Sequence, residues 1–149
     1  MRFNAISKYR RLSLQEKVLL TEVVLILLIA KLLILFVPFK KLAPYFGALN
    51  SEGLGHITET DATTVAMVRK MIVVGATKVP WKSVCLDRAL TAMIMLNRRR
   101  IPNTLCLGVR FNVGKSKLDA HAWIRCNNEI FIGGARSKYY NVVAFFSKY

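Results

Sequence analysis

Acidic side chains are what this chain has least of: eight Asp and Glu stand against 23 Lys and Arg, a formal charge of +15. The imbalance predicts attraction to something acidic: an anionic membrane surface, an acidic peptide or protein, or nucleic acid. No nucleic-acid recognition motif appears and the basic residues are scattered, so nucleic acid is set aside. Cysteine is also scarce. Three cysteines, an odd number without metal-ligand spacing, exclude a disulfide framework and a metal centre, and they fit reduced thiols in the cytoplasm. Internal repeats and low-complexity tracts are lacking. Disorder over most of the chain is excluded as well, because 54% of residues are hydrophobic and mean hydropathy is +0.35. A length of 149 residues suits one domain with a single core.

The longest apolar run lies in the first third. Ser13-Leu14-Gln15-Glu16 has capping-box spacing, predicting a helix from about Leu14 to about Phe36 that stops before Pro38. Such a helix is roughly 35 Å long, enough to cross hydrocarbon. From Val23 to Phe39 its only charge is Lys31. Two readings stand: a helix buried in the domain or lying on a surface, which we prefer, and a membrane span with Lys31 snorkelling. Lys and Arg flank both ends, so charge gives no orientation. No small-residue cleavage site follows, which argues against a secretory signal.

Pro44, Gly47, Asn50, Gly53 and Gly55 mark a connector, in which His56 is alone. A second helix is predicted from a cap at Thr60 or Asp61 to about Gly75, with Val65, Val68, Ile72 and Ala76 on its apolar face. A third is predicted from a cap at Ser83 to Arg100, burying Leu86, Ala89, Leu90, Met93 and Leu96. Arg98-Arg99-Arg100 reads either as an anion-binding run or as cations complementing a helix end, and the dipole already accounts for it. Past Pro102 the period becomes two: strands over Thr104–Phe111 and His121–Cys126, a loop over 112–118, and a hairpin turn at Asn127-Asn128 leading into Glu129–Ile132. Gly133-Gly134 breaks that strand, and Tyr139–Phe146 reads as the last. Helices followed by strands, without βαβ alternation, predict an α+β fold with an antiparallel sheet.

Within this layout Cys85 stands at a helix start and His121 at a strand start. A helix N-terminus offers unpaired N–H groups and a positive dipole end, which favour a thiolate. A nearby imidazole can take and return the proton, the layout of nucleophilic cysteine catalysis. Cys106 and Cys126, mid-strand among apolar residues, read as core. Trp81 and Trp123 read as packing, and Asp87 and Arg88 as a local pair or solvent-facing charges.

The run Pro80-Trp81, Cys85-Leu86-x-x-Ala89-Leu90, Leu96-x-Arg98-Arg99-x-Ile101-Pro102, Leu105-x-Leu107-Gly108-Val109, Ala120-His121-Ala122-Trp123-Ile124 resembles the transglutaminase-like leader peptidases of lasso-peptide biosynthesis. The likeness covers about residues 65–132, and the N-terminal segment through Pro38-Phe39-Lys40-Lys41 and the tail Glu129-Ile130-Phe131-Ile132-Gly133-Gly134 extend it. It implies a transglutaminase/papain-like core over residues 46–149, preceded by the apolar helix and basic flank of 1–45, the two forming one structural domain. It further implies a bacterial cytoplasmic cysteine protease; a thiolate favoured by the helix end needs no metal or cofactor, and the apolar helix leaves open an association with a membrane. Its substrate would be the leader region of a precursor peptide and its partners a lasso cyclase and a winged-helix leader-recognition protein. No such module precedes Ser13, so that protein is expected to be separate. Carried over by position, Cys85 is the nucleophile and His121 the general base, then acid. The family's aspartate on the strand after the histidine strand is missing, since Gly133-Gly134 lie there. Asp119, on the His121 face by alternation, is the nearest substitute. Two other readings remain: acyl transfer to an amine, and an idle scaffold holding a precursor complex at a membrane.

Overall fold

A serine and a glutamate three residues apart start the first helix, α1, Leu14–Phe36. The Ser13 hydroxyl accepts from the Glu16 N–H (3.2 Å) and the Glu16 carboxylate accepts from the Ser13 N–H (3.0 Å), the box expected from sequence. The computed structural model describes residues 9–127 and 129–148. One face of α1 (Leu20, Val23, Leu27, Ala30) is buried. It packs on two later helices, α3 (Glu59–Ala76) and α4 (Cys85–Arg98), so α1 is part of the domain core. The stretch read as a bare connector holds a short helix, α2 (Phe39–Leu42), a 3-10 turn (Ala43–Phe46) and a two-residue strand, β1 (Ala48–Leu49). So short a strand leaves no periodic signal; pairing with the chain's last strand creates it.

Both later helices start elsewhere than predicted. For α3 the cap is Thr58, and Asp61 closes a second capping box from inside the helix. The arginine run is a solvated helix end in part, with Arg98 and Arg100 exposed, and it also makes ion pairs. Arg98 and Arg99 pair with Glu22 of α1, at 3.1 and 2.7 Å, fastening α4 to α1.

Four more strands complete the sheet: β2 (Thr104–Asn112), β3 (Lys117–Cys126), β4 (Glu129–Ile132) and β5 (Asn141–Ser147). A short helix, α5 (Gly134–Ser137), links the last two. Pairing is antiparallel throughout, in the order β1-β5-β2-β3-β4. The fold is therefore α+β. The loop predicted over 112–118 shrinks to a 3-10 turn at Val113–Lys115 because the strands run on to either side. Alternation also lapses at this end, where Phe111 is exposed rather than inward. Asn127 has φ +55°, as a tight hairpin turn needs; its expected partner Asn128 lies outside the described residues. Leu90, Met93 and Leu96 of α4 close the core over Leu105, Ile124 and Phe131 of the sheet.

Candidate active site

Cys85 is the first residue of α4, and the residue in the cap position is Val84, not Ser83. Valine has no side-chain acceptor, and no side-chain cap bond is made there, whereas α1 and α3 carry complete capping boxes. The first-turn N–H groups beside the Cys85 thiol are thus free of any capping side chain, in position to meet an anion. Ser83 does different work. Its hydroxyl donates to the Asp87 carboxylate (2.9 Å) and accepts from Arg88 Nε (3.1 Å), while Arg88 Nη2 donates to the Ser83 carbonyl (3.1 Å). This clamp fixes the two residues that lead into Cys85. Asp87, expected at the surface or paired with Arg88, is fully buried and bonded to Ser83. Ser83→Ala leaves that buried carboxylate short of a donor, so a loss of about 1–3 kcal/mol is expected in chemical denaturation.

His121 lies on β3 opposite Gly108 of β2. Its Nε2 is 2.8 Å from the carbonyl oxygen of Gly133. A carbonyl only accepts, so Nε2 carries the hydrogen and the neutral ring keeps its lone pair on Nδ1. Among the described residues Nδ1 makes no hydrogen bond. The imidazole is flanked by the Trp123 ring (5.7 Å between centroids, 27° apart) and the Tyr140 ring (5.0 Å, 34°), and the Arg110 guanidinium lies over Tyr140 at 5.0 Å. Two glycines make this packing feasible. A Cβ on Gly108 would sit 2.8 Å from Trp123 Cη2 and 2.9 Å from Tyr140 Cβ. Gly133 adopts φ +81°, and a Cβ there would meet the Ala122 carbonyl oxygen and Trp123 Cβ, both at 2.9 Å. Gly133 reads in sequence as a strand breaker; that its carbonyl turns to the histidine carries no sequence signal.

Asp119, expected as the third member, is bonded away from His121. Its carboxylate accepts from Asn112 Nδ2 (2.8 Å) and pairs with Arg110 (3.5 Å), and among the described residues it makes no hydrogen bond to His121. Sharing a strand face sets side chains two residues apart, and the cross-strand partners Arg110 and Asn112 are more readily reached. The Asn112 hydrogen bond, with Arg110 behind it, holds this carboxyl below the usual carboxylate range. Any stability this supplies is present above the ordinary carboxylate pKa of about 3.9 and lost as the pH falls below it. Asp119→Asn should therefore change turnover by less than about tenfold, where loss of a true orienting carboxylate costs about 10⁴-fold; steady-state kinetics on matched variants decide.

The other two thiols are shielded from solvent. Cys106 and Cys126 are buried, and burial pushes both up, Cys126 to about 12. Cys85 is half-exposed. A limiting alkylating reagent at neutral pH should add one label per chain, at Cys85, when intact and peptide masses are read.

Helix α4 packs on β3, so the fold sets the helix of Cys85 against the strand of His121. Among the described residues the Cys85 sulfur makes no hydrogen bond, to His121 or to any other group. Such catalytic contacts commonly tighten only with substrate. A family model described as the transglutaminase-like superfamily matches residues 33–144, from the last turns of α1 into β5. The chain belongs to the transglutaminase-like superfamily. No curated protein and no solved structure matches it. The superfamily match encloses Cys85, Asp119, His121 and Gly133, and the superfamily consists largely of cysteine peptidases and acyl transferases. In this transglutaminase-like domain Cys85 and His121 stand on elements that pack together, and a main-chain oxygen holds the imidazole.

Proposed function

We propose that the domain is a cysteine peptidase that removes the leader from a ribosomally made lasso-peptide precursor before a separate cyclase closes the macrolactam. The observation that carries the peptidase reading is the Nε2···O contact between His121 and Gly133, which leaves Nδ1 as the proton-accepting nitrogen. In the reaction the Cys85 thiol passes its proton to His121 Nδ1 and the sulfur attacks the scissile carbonyl carbon. The oxyanion of the tetrahedral intermediate is met by first-turn N–H groups of α4. As the C–N bond breaks, the imidazolium returns its proton to the leaving amine. Water then adds to the thioester with His121 as base, which frees the leader carboxylate and restores the thiol.

The substrate assignment rests on the residue run from Pro80 to Ile124, and with it comes the expectation of a winged-helix partner that presents the leader. The test is mass spectrometry of a cognate precursor incubated with the protein and that partner, with and without added hydroxylamine. Leader and core fragments, the leader ending in a free carboxylate, support the peptidase. A leader recovered as the hydroxamate alone, with no hydrolysis in its absence, identifies an acyl transferase. An intact precursor under both conditions favours the scaffold.

A further inference from the structure

Helix α1 is apolar on two faces, and the domain uses one. While Leu20, Val23, Leu27 and Ala30 point into the core, Leu25, Leu28, Ile29, Leu32, Leu35 and Phe36 form an outward stripe at three- and four-residue steps. Exposure runs from 39% at Leu28 to 63% at Leu35 and 78% at Phe36. Twelve residues of helix make a strip roughly 18 Å long. Strips of this kind on a monomeric surface mark an interaction site.

Charge says what lies on it. Between Glu22 and Glu52 the chain has no acidic residue, and its charges are Lys31, Lys40 and Lys41. Lys31 is engaged at the surface, donating to the Lys82 carbonyl at 3.2 Å. Lys40 and Lys41 are exposed just beyond the stripe, beside the exposed rings of Phe39 and Tyr45. Apolar residues ending in a cluster of aromatic rings and lysines match the boundary between acyl chains and anionic headgroups. An open apolar groove of about 770 Å³, lined by Leu33, Phe46 and Met93 with Lys41 among its residues, adjoins the same end of α1.

We infer that this face docks on an anionic lipid bilayer, with α1 lying along the interface. The helix is long and apolar enough to cross a membrane. Crossing, however, would strip α3 and α4 from its inner face and break the Glu16–Lys70 and Glu22–Arg99 pairs. A second copy packed in parallel on the same face would bring lysines against lysines. The inference stands apart from the peptidase reading.

The experiment is co-sedimentation of the full chain with phosphatidylcholine vesicles, with or without 30 mol% phosphatidylglycerol, at low and high salt, followed by a carbonate wash. Expected is binding that needs the anionic lipid, weakens with salt and is released by carbonate. Leu32→Glu/Leu35→Glu and Lys40→Glu/Lys41→Glu should each weaken it on the order of 10- to 100-fold. Both alter exposed side chains, so unchanged thermal midpoints would show that folding is intact. Overturning results are equal binding to both vesicle types, no binding to either, retention after carbonate, or a lipid-independent dimer that Leu35→Glu disperses.

Discussion

Cys85→Ala is expected to leave the precursor uncut, with turnover down on the order of 10⁴-fold or more, while the protein stays folded. The size follows from the mechanism: without sulfur no thioester forms, and hydrolysis is left to water near a few N–H donors. His121→Ala should cost about 10²–10⁴-fold, the usual contribution of a positioned acid–base group. Residues that act as one unit do not add, so the double variant should be no slower than Cys85→Ala alone. Initial rates with partner and precursor at saturation, beside thermal midpoints for each variant, provide the check. Equal rates for wild type and Cys85→Ala would remove the nucleophile from the account.

Gly133→Ala is the second large effect, and it acts on backbone and site together. The residue's φ of +81° suits glycine, and an added Cβ would press on the Ala122 carbonyl oxygen and on Trp123 Cβ at 2.9 Å. A loss of about 1–3 kcal/mol in denaturation is expected from such strain. Relief requires the 133 peptide to rotate, which takes its oxygen away from His121 Nε2. Turnover should therefore fall with little change in KM, below what reduced stability explains. Gly134→Ala is the control: its φ is ordinary and its nearest contact, at 3.1 Å, is Cγ2 of Ile130, a side chain exposed at the surface. A Gly133→Ala variant as active as Gly134→Ala would deny the carbonyl its orienting part. No side-chain truncation can make this test, because the acceptor belongs to the main chain.

Sequence patterns carried the scaffold well where local chemistry fixes it. The Ser13/Glu16 box and Pro38 bound α1, and the switch from helical to alternating period after Pro102 placed β2 and β3. What stayed hidden depends on partners distant in the chain. β1 exists through β5, and Arg98 and Arg99 serve Glu22 across 76 and 77 residues. The start of α4 was misplaced because Ser83 is a good capping type, yet its hydroxyl is taken by Asp87 and Arg88. In the site, Cys85 is legible as a thiol at a helix start, whereas His121, expected to open a strand, is the fifth residue of β3 because that strand begins already at Lys117. Strand alternation points to Asp119 as the carboxylate that shares the His121 face, but alternation does not say which partner a side chain bonds. A carbonyl from a glycine has no side chain to search for; its signal was the φ-permissive residue itself, at the place where an aspartate was missing.

The claim at the centre of this account is that a main-chain carbonyl holds His121 with Nδ1 free for the proton chemistry of Cys85. With only two histidines in the chain, the imidazole tautomer can be read by long-range ¹H–¹⁵N correlation NMR, His56→Gln identifying the His121 signals. Expected, for the ring in its neutral form, is a hydrogen on Nε2 and an Nδ1 shift of an unprotonated nitrogen. A neutral ring with its hydrogen on Nδ1 would contradict this, since Nε2 would then have no hydrogen to donate to Gly133.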